Sequence, residues 1–326
     1  MSRLAMFVSA MAAAGLVAAL EPARAGGPEP LRFFDLPAGT GAHDVAPAAE
    51  PGGPVYFTAQ RAGRLGVLTP ASGKVEFIDL GEGSAPHGVI IGPDRAAWVT
   101  DGGRNAILRV DPLTRAVRAW PLPSSASGAN LNTAAFDGAG NLWFTGQSGF
   151  YGRLDPARDD LRVWDAPRGT GPYGIAATPA GVVYFVSLAG SYLARVDSKT
   201  GAATVIEPPT QRAGTRRVWA DSHGRLWVSD WNAGKVGCYD PADGHWREWS
   251  LPGSGRAYAV WVDERDQVWL SDWTAHAIVH FDPASERFES FHAGKGIDAR
   301  QLAGRHGELW GADSANGRLF VLTIPK

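Results

Sequence analysis

A single cysteine, Cys238, in 326 residues rules out an intrachain disulfide framework and any cysteine-rich metal centre. An excess of one charge is equally missing. The formal net charge is −2, so the chain has no basic footprint of the kind that nucleic acids demand. Long stretches of helical period are absent too, although the length alone would suit two average domains or one large β or α/β domain. What the chain has in quantity is 13 tryptophans and 41 glycines, a composition suited to many short strands joined by tight turns.

The first residues read as a targeting segment rather than as fold. Arg3 precedes an apolar run over residues 4–20, and "ARA" at 23–25 is a small-residue cleavage site. A membrane anchor fits less well, because the run is short for a span and small residues follow it. The expectation is a signal peptide over 1–25 with cleavage after Ala25, a periplasmic or secreted location, and no membrane association. The remaining 301 residues, 26–326, carry a charge of −3 once Arg3, Arg24 and Glu21 are removed, and form one domain.

That domain is a repeat. An apolar run built around an aromatic residue recurs as "PVYFT", "AAWVTD", "NLWFTG", "VVYFVS", "RLWVSD", "QVWLSD" and "ELWGAD". Its aromatic falls at Tyr56, Trp98, Trp143, Tyr184, Trp227, Trp269 and Trp310, in steps of 42, 45, 41, 43, 42 and 41 residues. An apolar segment precedes each copy and a third one follows. A more polar alternating run such as "VEFIDL" or "WREWSL" closes the unit. Four short strands per ~40 residues are the mark of a propeller blade. The chain opens on a fourth-type strand, "LRFFDL" (31–36), and ends after a third-type one, "RLFVLT" (318–323). The expected fold is therefore an all-β, seven-bladed β-propeller of four-stranded blades, its ring closed by the N-terminal strand joining the last blade.

Two positions per blade approach one mouth of such a ring. The first, eleven residues before the aromatic, reads His87, Asn132, Tyr173, Arg216, Tyr258 and Ala299; His43 takes it in blade one, where "AAEPGGP" adds two residues. The second, three residues after the aromatic, reads Ala59, Asp101, Gly146, Ser187, Asp230, Asp272 and Asp313. Polar groups converging on a mouth suit a small-molecule ligand, with Asn132, Tyr173, Arg216, Tyr258, Asp230, Asp272 and Asp313 as candidate contacts. The recurring Asp has an alternative reading, since a carboxylate ending a strand can cap neighbouring backbone N–H groups. Trp231 and Trp273 can likewise pack between blades or wall a ligand. No P-loop, nucleophile elbow, H-E-x-x-H pair or EF-hand loop is present.

The stretches "APHGVIIGPDRAAWVTD" (85–101), "GNLWFTG" (140–146) and "GPYGIAATPAGVVYFVS" (171–187) resemble the repeats of the virginiamycin B lyase (streptogramin lyase) family. The resemblance implies a monomeric, Mg²⁺-dependent carbon–oxygen lyase that opens a cyclic depsipeptide by elimination at an ester. In the family pattern a His opens one blade, Glu-x-His opens the next, and a Glu ends that blade's second strand. Carried over, it makes His43 and His87 catalytic and Asp101 a metal ligand, with Ala85 where the remaining Glu stands. A non-catalytic binding propeller and a metal-dependent lactonase are the alternatives of the same architecture.

Overall fold

The structure, a computed structural model, describes residues 31–324. The expected signal peptide and its cleavage site lie outside the described residues. The chain builds seven four-stranded antiparallel sheets. Blades one to six are consecutive in sequence, over 42–79, 86–121, 131–165, 172–206, 215–250 and 257–292. Blade seven takes its three inner strands from 299–323 and its outermost strand from Leu31–Asp35, which pairs antiparallel with Arg318–Thr323. The N-terminal strand thus closes the ring by backbone pairing. The only helical elements among the described residues are two single turns, Ser124–Ala126 and Pro252–Ser254.

The repeat has a physical grammar. In blades three, five and six the turn before the second strand opens on an Asp that does two jobs. The Oδ1 atoms of Asp137, Asp221 and Asp263 accept from turn N–H groups, such as those of Asn141, Arg225 and Gln267 at 2.9 Å. Their Oδ2 atoms accept from the indoles of Trp143, Trp227 and Trp269 at 2.8, 2.9 and 3.1 Å. The turn and the aromatic at the centre of the run are therefore one unit, which is why they recur together. Gly140 and Gly224 supply the left-handed residue these turns need, at φ of 83° each.

Between blades the hydroxyl near the end of the second strand acts as a staple. Thr58, Ser229 and Ser271 donate to the first-strand carbonyls of His87, Tyr258 and Ala299 in the following blade, at 2.7–2.8 Å. Thr100 and Thr145 donate in the same way to Asn132 and Tyr173. The same oxygens accept a first-strand N–H of their own blade, as from Asp44 and Ala259 at 3.0 and 2.9 Å. Apolar packing follows the same plan, because each of the seven core clusters mixes two adjacent blades. Trp227 of blade five, for example, packs with Val260, Leu270 and Phe281 of blade six. With no disulfide, these seven interfaces and the strand closure hold the ring.

Candidate functional site

The seven first strands surround the central channel and line a common cavity. Each breaks register against its second strand near its start. The pairs just before the break are Ala42–Ala59, Pro86–Asp101, Leu131–Gly146, Pro172–Ser187, Thr215–Asp230, Ala257–Asp272 and Ala299–Asp313. A β-bulge re-aims the side chain it carries. The residue after each of these pairs is His43, His87, Asn132, Tyr173, Arg216, Tyr258 and Arg300. In blade seven the position belongs to Arg300 and not to Ala299. The hairpin there turns between Arg305 and Glu308, so one residue is missing from the count.

These side chains meet. The rings of His43 and His87 lie 4.0 Å apart between centroids, and His87 and Tyr173 meet nearly at right angles with centroids 6.4 Å apart. Asn132 Nδ2 donates to His87 Nε2 at 3.3 Å, which places the imidazole proton on Nδ1. That Nδ1 is buried and has no hydrogen-bond partner. Tyr173 and Tyr258 share a hydrogen bond of 2.7 Å, although they stand two blades apart. Arg216 donates to Tyr173 Oη at 2.9 Å and lays its guanidinium 3.5 Å from the Tyr258 ring centroid. Trp273 stacks on Tyr258 at 4.9 Å and Trp231 meets Trp273 edge-on at 5.8 Å. These two indoles therefore wall the mouth.

One residue further along, a second tier crosses the channel. Asp44 of blade one pairs with Arg217 of blade five at 3.2 Å, and Arg217 also donates to Thr133 of blade three at 2.6 Å. Gln301 of blade seven accepts the Val45 N–H at 3.0 Å. Below this tier lies a cavity of about 380 Å³ with mainly apolar walls, including Val45, Val89, Ile175, Val218 and Leu302. Asp44, Thr133, Arg217 and Gln301 separate it from the His and Tyr ring. Counting one bulge position per blade misses this tier. The signal was a charged residue at Asp44 and Arg217, where blades two, four and six have Gly88, Gly174 and Ala259.

Burial sets the protonation of the ring. It pushes the His87 imidazole well below its ordinary value, with His43 adding to the effect, and it lowers His43 against the opposing pull of Asp44. Both rings are neutral at pH 7. Burial alone would raise Asp44, but the Arg217 guanidinium and His43 outweigh it and hold the carboxyl well below the usual range. His43 Nδ1 sits 2.8 Å from Asp44 Oδ1 and donates to it, leaving the lone pair on Nε2.

The strand-ending aspartates do something else. Asp101 is fully buried and accepts from the Ser84 hydroxyl at 2.5 Å, the Ala85 N–H at 2.9 Å and the Arg104 N–H at 3.0 Å. Asp272 accepts from the N–H groups of Arg256, Thr274 and Ala275, and Asp313 from Asp298 N–H, Asn316 and Arg318. Each ties down its own inter-blade loop. Asp230 differs, since neither of its buried oxygens has a hydrogen bond. Burial pushes it up to about 7, against a smaller opposing pull from the neighbouring Thr215 hydroxyl. The folded state then binds this proton more tightly than the unfolded one, and stability falls as pH rises from about 4 to 7. An Asp230→Asn variant should therefore match the wild type near pH 4 and exceed it at pH 8 by about 4 kcal/mol, read from urea midpoints.

Among the described residues, the groups in this ring able to share a cation are His43, Asp44 and His87, with ligand atoms within 4.8 Å of one another. They do not fit magnesium. That ion wants oxygen ligands in near-octahedral array, whereas this set offers two imidazoles and one carboxylate. The carboxylate is already neutralised by Arg217. Asp101 is committed to its loop, and Ala85 offers no side-chain oxygen.

Fold and site define a seven-bladed propeller with a polar and aromatic mouth at one end of its channel. The sequence model of the virginiamycin B lyase family matches residues 14–254, most of the chain, so the chain belongs to that family. Among solved structures, a streptogramin B lyase superposes with a TM-score of 0.81 at 19% identity, covering 90% of this chain and 97% of that one. Virginiamycin B lyase from Staphylococcus aureus gives 0.81 at 18% identity, with 90% and 99% covered. YCF48 bound to D1 peptide gives 0.72 at 14%, with 93% and 99% covered. At these identities the likeness is one of fold. A search of curated proteins finds no match.

Proposed function

We propose that this chain is an exported, monomeric propeller that binds an organic small molecule at the His43–His87–Tyr258 mouth and does so without magnesium. The observation that carries the reading is the fate of the carboxylates. Asp101 holds three donors of its own loop, Ala85 has none to offer, and Asp44 is paired with the buried Arg217. A mouth in this state presents hydrogen-bond donors and aromatic faces rather than a cage for a cation. His87 Nδ1–H is a buried donor waiting for an acceptor, which a ligand carbonyl or ester oxygen would satisfy.

The His43–Asp44 pair favours a second reading. A carboxylate on Nδ1 leaves Nε2 able to take a proton, so His43 would serve as base in a metal-free elimination while His87 donates to the departing or carbonyl oxygen. Incubation with a streptogramin B, followed by chromatography and mass spectrometry, separates the readings. The binding reading predicts unchanged compound with and without added Mg²⁺. A ring-opened product of unchanged mass, lost in His43→Ala, establishes elimination, whereas a gain of one water establishes hydrolysis.

A further inference from the structure

Three arginines at the mouth have no counter-ion among the described residues. Arg216, Arg256 and Arg300 come from blades five, six and seven and surround one aromatic group. Arg216 lies over Tyr258 and Trp231 at 3.5 and 4.9 Å, Arg256 over Trp231 at 5.2 Å, and Arg300 over Trp273 and Tyr258 at 5.1 and 5.9 Å. The nearby carboxylates do not serve them: Asp44 is taken by Arg217, Asp298 by His276 and Asp272 by loop N–H groups, while the charges that act on buried Asp230 are Lys235 and Glu248. Arg216 is half-buried, and its Nε is buried without a partner. Half-buried guanidiniums held on aromatic faces, with no anion of the protein's own, form a site of uncompensated positive charge. His43 and His87 are neutral, so the positive charge here belongs to the arginines.

We infer that the blade five-to-seven side of the mouth selects an organic oxyanion, a carboxylate or phosphate borne on a flat unsaturated body. Trp231 and Trp273, each half-exposed, take the flat body. Arg216 and Arg300, both beside Tyr258, take the oxyanion, and Arg256, which is exposed, draws it in from solvent. The inference rests on the reading of the mouth as a magnesium-free small-molecule site and adds the class of ligand. Carboxylate and phosphate share the chemistry that the guanidiniums recognise, so both are probed.

The test is calorimetric titration of the mature chain with 2-naphthoate, 2-naphthyl phosphate and the uncharged 2-naphthamide. Both anions should bind at least about ten-fold more tightly than the amide, and added salt should weaken them selectively. Arg300→Gln and Arg256→Gln should each weaken the anions while leaving the amide unchanged. Arg216→Lys should retain part of the preference. The relative strength of naphthoate and naphthyl phosphate tells which oxyanion the arginines suit. Equal binding of naphthamide and naphthoate overturns the inference while leaving a small-molecule mouth. Failure of all three probes overturns it as well, and the parent reading then stands or falls separately on whether magnesium binds.

Discussion

Asp44→Asn should lower the stability of the folded chain by about 3–5 kcal/mol, seen as a large drop in the urea midpoint at pH 7. The cost comes less from the lost attraction than from the charge left behind. Arg217 is 4% exposed and sits in the middle of the channel, where its charge meets Asp44 at 3.2 Å. Without Asp44 the guanidinium keeps Thr133 as an acceptor but has no anion. Arg217→Met in the Asp44→Asn background should recover most of the loss, because it removes the stranded charge and fills the space. The pair also sets the acid limit of the fold. A carboxyl whose folded value is depressed contributes stability above its unfolded value near 4, and that contribution disappears as pH falls toward the folded value. His43 and His87 add an earlier loss. Their folded values are lowered, so below about 6.5 the unfolded chain takes up protons that the folded one refuses. Asp230 works in the opposite direction over this range, so the two phases are read in the Asp230→Asn background: that variant should weaken gently from pH 7 to 5 and steeply below 4, and adding Asp44→Asn should leave only the first phase.

The Asp101→Ala variant carries the second large effect, a loss of about 3–4 kcal/mol with no change in ligand binding at the mouth. Its carboxylate is fully buried and satisfies the N–H groups of Ala85 and Arg104 together with the Ser84 hydroxyl. Removing it orphans three half-buried donors in a loop that bridges two blades, each at a cost of about 1–3 kcal/mol before water enters. Asp101→Asn should cost less, since an amide oxygen can still accept both N–H groups. Unfolding curves and calorimetric titration with the same ligand distinguish the roles. A cap moves the first and spares the second, and a ligand-binding residue does the reverse.

The fold was legible because a blade is a sentence repeated seven times, and its hydrogen bonds are written into residue types. Asp–turn–Trp units such as Asp221 to Trp227, and the hydroxyl staples at Ser229 and Ser271, need particular side chains at fixed spacing. The mouth was legible in part. Counting eleven residues back from the aromatic places His87, Asn132, Tyr173, Arg216 and Tyr258 in one ring, because the bulge lies at a constant offset from the second strand. It slips at blade seven, where a shorter hairpin substitutes Arg300 for Ala299. It cannot see the Asp44–Arg217 pair, which joins residues 173 apart in sequence across the channel. Strand-ending aspartates were ambiguous for a different reason. Whether a carboxylate faces the mouth or its own loop depends on the loop's path, and Asp101, Asp272 and Asp313 turn to the loop.

The central claim is that this mouth works without magnesium, and titration of Mg²⁺ into chelator-treated protein addresses it most directly. With two imidazoles, an arginine-paired carboxylate and three further guanidiniums around them, no stoichiometric binding should appear at millimolar metal. Elemental analysis of the purified protein should likewise show less than an equivalent. One bound Mg²⁺ per chain, lost in both His43→Ala and His87→Ala, would contradict the account and return the mouth to the family's metal chemistry.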